Sequence, residues 1–439
     1  MKKGGITQGT NIFARQIMQT FGKPRLPELL APAGSFEKLV TAVHYGADAV
    51  YLGGRRYSLR ARAANFDGDG IGRAVAYAHA HGVRVYVTVN VFAHNRDLEG
   101  LADYLLLLRD HGVDGLIIAD PGILMIAGQV VPELPVHLST QANVTNRASA
   151  RFWAGCGVRR INLARELGLE EIREIRAATD RELEVFVHGA LCISYSGRCM
   201  LSAYLTGRDA NQGDCAHPCR YSYRLVEEKR PGHYYPVEED ERGTYIFNSR
   251  DLCLLERLPL LVGLGIDSIK IEGRMKSMAY VGGVVRLYRA ALDWIKEQFS
   301  RGVKPEDMVL PQSFLREMKK IGTRGRTENF FAGPPSSGDM IYDTMRLEQS
   351  WVPVGIVIGT DPLVIEARNP LEPGETVEYL GRDLEPAVCT VTAMATEDGM
   401  PLLRANPGNR IILHTDPVLV RPERNSILRK QQQRHDTGL

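Results

Sequence analysis

Charge of one sign is what this sequence has little of: 54 Lys+Arg against 52 Asp+Glu in 439 residues leave a formal net charge of +2. A chain that gathers nucleic acid through a global basic field is therefore excluded, and any such partner must meet a local patch. Long apolar runs are missing too. Stretches such as Leu105–Leu108 and Pro259–Ile266 fall far short of the roughly 20 residues that span a bilayer. Lys2 and Lys3 imitate the charged start of a signal peptide, but no apolar core follows them, so the expectation is a cytoplasmic protein without a membrane partner. Cysteine is sparse at seven residues, an odd number and too few for a disulfide frame. Two protease signatures, His-Glu-x-x-His and Gly-x-Ser-x-Gly, do not occur. Hydrophobic residues at 44% and charged residues at 24% are ordinary globular values and exclude a disordered chain.

What is present is a recurring pattern. Segments 45–53, 81–90, 111–120, 156–165 and 264–273 each carry a glycine, a short link and a β-rich apolar run. The glycine can close a helix in the left-handed conformation. Amphipathic stretches such as Ser35–Tyr45, Leu98–His111 and Leu169–Thr179 separate the copies, and Pro27–Pro32, Pro135–Thr140 and Glu182–His188 complete eight strands. Eight β elements alternating with helices predict an α/β fold, a (β/α)8 TIM-like barrel over residues 26–320. The seventh and eighth strands are about 80 residues apart, and so long a connection (190–267) is an insertion on the face where barrel enzymes keep their active sites. From Ile321 onward, short β runs cut by Asn369-Pro, Glu372-Pro-Gly and Asn406-Pro-Gly-Asn predict a small all-β barrel to residue 425. Residues 1–25 read as a leader and 426–439 as a basic tail.

Five of the seven cysteines, 192, 199, 215, 219 and 253, fall in that insertion or at its edge. Zinc usually takes two tight Cys pairs, and only Cys215-x3-Cys219 is one. The open spacing of Cys192, Cys199, Cys215 and Cys253 better suits a four-thiolate [4Fe–4S] cluster, with Cys219 as an alternate ligand. Zinc and simple burial of small apolar thiols stay open as readings. Isolated Cys156 and Cys389 read as core.

Strand C-terminal ends should bring Glu28, Tyr51, Asn90, Asp120, Gln141, Arg165, His188, Glu272 and Arg274 to the barrel mouth. His188 and Glu272 are the expected proton-transfer groups, or else a backbone-bonded histidine and a rim ion pair. Arg165 and Arg274 suit a dicarboxylate, because guanidinium grips carboxylate bidentately. After the second strand, Arg55, Arg56, Arg60 and Arg62 interleave with Tyr51, Tyr57 and Phe66. Cations beside aromatics are what an unstacked base and its phosphates require.

Four motifs carry a resemblance: Glu28-Leu-Leu-Ala-Pro-Ala-Gly-Ser, the segment His188–Ser202, Asn248-Ser-Arg-Asp-Leu-Cys and Lys270-Ile-Glu-Gly-Arg-Met-Lys-Ser. From about residue 26 the chain resembles the collagenase-like peptidase family U-32. Its all-β module resembles the C-terminal domain of one branch, which includes enzymes that hydroxylate a tRNA wobble uridine with prephenate as oxygen donor. The resemblance implies a [4Fe–4S] cluster on four cysteines, O2-independent hydroxylation and a tRNA substrate. It also keeps in view a collagenase-like peptidase, with Cys192 and His188 as a conceivable dyad, and a hydroxylase of rRNA or of a quinone precursor.

Overall fold

A computed structural model describes residues 25–59, 64–191, 201–208, 210, 214–218, 225–226, 234–235, 238–240, 243–245, 248–322, 325–333, 340–341 and 349–432. Eight parallel strands form a closed barrel: β1 Glu28–Pro32, β2 Ala49–Gly53, β3 Arg84–Val89, β4 Gly115–Ile118, β5 Val136–Leu138, β6 Arg160–Asn162, β7 Glu182–Gly189 and β8 Ser268–Ile271. β8 pairs in parallel with both β1 and β7, which closes the ring. The predicted α/β barrel is therefore the fold.

The helices obey their sequence signals. Ser35, Asp67, Asp120 and Asn146 each accept a backbone N–H in the first turn of the helix that follows, satisfying donors that a helix start leaves orphaned. In the five recurring segments Gly46, Gly82, Gly112, Gly157 and Gly265 all have φ between 69° and 90°. That conformation lets a helix stop and the chain turn straight into the next strand. Among the described residues no helix is long and apolar enough to cross a membrane.

Helices and strands bury an aliphatic layer between them, but the barrel interior is charged. Arg160 donates to Glu28 at 2.6 Å and lies 3.3 Å from Glu184. Glu184 also takes the Lys270 ammonium at 2.9 Å and the Ser268 hydroxyl at 3.1 Å, and the Tyr86 hydroxyl donates to Glu28 at 2.8 Å. Glu28 thus belongs to the opposite end of the barrel from the mouth. It opens β1 rather than ending it, and its partners Arg84 and Arg160 likewise open β3 and β6.

The C-terminal module is a closed antiparallel barrel of six strands, Trp351–Thr360, Leu363–Ala367, Thr376–Leu380, Ala387–Thr396, Arg410–Asp416 and Ile427–Gln431. The last of these corrects the basic tail expected from residue 426. Ile427 and Leu428 are buried, Arg429 is held by Glu317 and Glu378, and Lys430 by Glu375. Carboxylates from distant segments neutralise the two positive charges that had marked the segment as a tail. The module is docked on the larger barrel: the Tyr45 hydroxyl donates to Leu380 O and accepts the Ile427 N–H, both at 2.9 Å.

Candidate active site at the barrel mouth

The mouth is assembled from loops after β2, β3, β6, β7 and β8. Arg274, three residues past β8, is buried. Its guanidinium donates to the Ser58 hydroxyl at 2.9 Å, to the Thr88 hydroxyl at 3.3 Å and to the Asn65 side chain. One side chain therefore fastens the β8 loop to β3 and to the loop after β2. Arg274 acts as a clamp between loops, a role the expected grip on a dicarboxylate did not include. Close packing supports it: a Cβ on Gly34 would lie 2.0 Å from the Arg274 carbonyl oxygen.

Arg165 follows β6, half-buried, donates to Ala190 O at 3.2 Å and sits 5.6 Å from the Phe186 ring centroid. Glu272 directly follows β8, and its backbone N–H donates to His188 O at 2.8 Å. Lys270 is committed to Glu184, and Arg274 to its three acceptors. Asp120 serves as a helix cap, and the Asn90 side chain accepts from the Leu59 N–H.

His188, the penultimate residue of β7, is enclosed between Tyr280 and Tyr288, with Nδ1 3.4 Å from the Tyr288 hydroxyl. Burial pushes its imidazole down to about 3, with Arg326 and Lys276 opposing protonation further and Asp251 favouring it. A neutral ring so enclosed is a packing and orienting group, poorly suited to donate a proton.

Of the expected cluster ligands, Cys192 and Cys199 lie outside the described residues, as does the alternate Cys219. Cys215 is half-buried, and its Sγ accepts the His217 backbone N–H at 3.3 Å. Hydrogen bonds to the sulfurs are among the features that tune iron–sulfur centres, so this donor suits a cluster. Cys253 stands opposite His188 in an antiparallel pair with β7, the strand that leads toward Cys192. Its thiol lies 3.0 Å from Met318 Sδ, and burial pushes it up. A metal would have to displace that proton, as metals do for coordinating thiols. The donor chemistry fits an iron–sulfur centre; among the described residues, no three metal-type side chains converge.

The arginine-rich loop after β2, expected to meet RNA, commits its described side chains within the protein. Arg55 is exposed and pairs with Asp67 at 3.3 Å. Arg56 donates to the Tyr57 hydroxyl and to Glu99 O, both at 2.9 Å. Arg60 and Arg62 lie outside the described residues. Tyr51, Tyr57 and Phe66 are all buried, so none offers a ring face to a base. Among the described residues of the neighbouring loop after β3, Phe92 is 48% exposed. Sequence reasoning missed it because Asn90-Val-Phe continues an apolar strand, with nothing to mark where the strand ends.

Residues 34–341 match the model of peptidase family U32, and residues 349–429 that of the family's C-terminal domain. The chain is 40% identical over 380 residues to "tRNA hydroxylation protein P1" of Bacillus subtilis strain 168, covering 86% of this chain and 88% of that one. It is 40% identical over 344 residues to "tRNA hydroxylation protein P" of Escherichia coli strain K12, covering 69% and 74%. A third relative, "23S rRNA 5-hydroxycytidine C2501 synthase" of the same strain, is 35% identical over 356 residues, covering 80% and 52%.

Proposed function

The chain belongs to peptidase family U32, and we propose that it is an iron–sulfur enzyme of the cytoplasm that hydroxylates a tRNA uridine to 5-hydroxyuridine, taking the oxygen from prephenate and not from O2. The observation that carries the reading is its 40% identity, over most of both chains, to proteins named for tRNA hydroxylation. The mouth chemistry supports it. Cys192, Cys199, Cys215 and Cys253 would hold a [4Fe–4S] cluster, since the Cys215 sulfur already takes an amide N–H and Cys253 flanks the strand leading to Cys192. When bound, the cluster supplies one-electron chemistry.

The remaining steps fall to the chain's own residues. Arg165, anchored on Ala190 O and beside the Phe186 ring, is assigned to grip a carboxylate of the donor. Arg274 positions: by tying the loops after β2 and β8 to β3 it fixes where a substrate meets Arg165 and Glu272. Inserting one oxygen atom at C5 oxidises the uridine by two electrons, which the oxygen donor takes up as its own bond to that oxygen breaks. The proton that leaves C5 is matched by one gained on the new oxygen, and Glu272, at the strand end beside His188, is assigned to carry it. A peptidase built on Cys192 and His188 would need the histidine as a base, and a ring held neutral down to about pH 3 is a weak one.

The test is nucleoside mass spectrometry of tRNA from a strain lacking the gene and any redundant enzyme. Loss of 5-hydroxyuridine derivatives, restored by the wild-type gene but not by Cys215→Ser, is expected. Unchanged derivatives would overturn the proposal.

A further inference from the structure

A base must leave its stack before C5 can be reached, and it then needs a surface to lie on. The described loops of the mouth expose two large apolar side chains, Phe92 after β3 and Met275 after β8, each about half exposed. Both are carried on anchored backbone. Tyr57, in the left-handed conformation with φ 63°, accepts the Asn90 and Val91 N–H groups at 2.9 and 3.1 Å, which welds the loop after β2 to the one bearing Phe92. On the far side of Phe92, His94 N–H is fixed by the Asp97 carboxylate at 2.8 Å. The His94 ring meets Phe92 edge-on at 5.8 Å. Arg274 draws the Met275 loop to β3 through Thr88, two residues before Asn90. Exposed Arg55 and Arg96 lie in the same two loops, at hand for backbone phosphates.

We propose that Phe92 is the stacking platform for the unpaired target base, so that a single-stranded loop of RNA enters the barrel across this rim. The assignment rests on the RNA-hydroxylase reading. Phe92 touches substrate there and makes no contribution to the core, so its removal should leave the fold intact. A π face is required and bulk alone does not serve. Because every base has such a face, the platform holds an unpaired base without choosing its identity.

The experiment measures binding of the iron-loaded full-length protein to a fluorescein-labelled RNA stem-loop with uridines in its loop, by anisotropy. Phe92→Ala and Phe92→Leu should each weaken binding roughly 5- to 150-fold, the range of one base–aromatic stack. Phe92→Trp should bind as tightly as wild type. A fully paired RNA duplex, which presents no free base, should bind all four proteins alike. If Phe92→Ala and Phe92→Leu bind the stem-loop as wild type does, the platform assignment fails while the RNA reading stands. If the wild type binds neither RNA, the RNA reading itself falls.

Discussion

Replacing Lys270 by Met asks whether the charged interior of the barrel is held by balance. Lys270 and Glu184 lie 2.9 Å apart with 4% and 1% of their side chains exposed. Met refills most of the volume but removes the cation. Glu184 then retains only the Ser268 hydroxyl and Arg160, which it shares with Glu28. Burial pushes the Glu184 carboxyl up, and Lys270 and Arg160 more than offset it, leaving it below the usual range. Without Lys270 the offset is mostly lost. Breaking a buried pair from one side costs about 3–5 kcal/mol, or roughly 6–20 °C in Tm for a barrel of this size. The assay is thermal unfolding at pH 7 with equal cofactor content. Lys270→Met combined with Glu184→Gln restores charge balance and should recover at least half of the loss. A drop below about 2 °C for the single variant, or a double variant no better than it, would refute the reasoning.

Three other outcomes follow from the same structure. Anaerobically prepared protein should be brown, absorbing at about 400 nm with iron and sulfide bound; Cys215→Ser should bleach it and Cys156→Ser should not, whereas a colourless wild type holding one zinc ion contradicts the donor set. Gly34→Ala should cost more than about 3 kcal/mol, because the new Cβ meets the Arg274 backbone oxygen at 2.0 Å with no flexible side chain to yield; chemical denaturation with an unchanged midpoint would dismiss that clash. Burial lowers His44 to about 4 and His137 well below its ordinary value. Below about pH 6.5 the unfolded chain therefore takes up protons that these folded rings refuse, and each costs about 1.4 kcal/mol per pH unit. Tm should fall from pH 6.5 to 5, less steeply in His44→Asn; equal slopes would remove His44 from the account.

The barrel was legible because its signal is repetitive: five glycine-ended helices each followed by a β-rich run leave little else that eight such units can build. The six-stranded module was legible except for Ile427–Gln431, where Arg429 and Lys430 look like a solvated tail until Glu317, Glu378 and Glu375 are brought from distant segments to meet them. The mouth was legible only in part. Strand-end position marks Arg165, His188, Glu272 and Arg274 but not what each does. Whether a guanidinium faces substrate or clamps two loops depends on Ser58, Thr88 and Asn65, contacts more than 180 residues away in the chain. The aromatics failed for a related reason. Tyr57 and Phe66 neighbour the arginines in sequence but turn into the core, whereas Phe92 comes from the adjacent loop.

The most direct measurement incubates iron-loaded protein with unmodified tRNA and prephenate under strict exclusion of O2 and weighs the nuclease fragments. The account predicts one added oxygen atom on a single uridine, dependent on prephenate and lost in Cys215→Ser. Unchanged fragments from protein whose cluster is intact, or a product that forms equally well without prephenate, would contradict it.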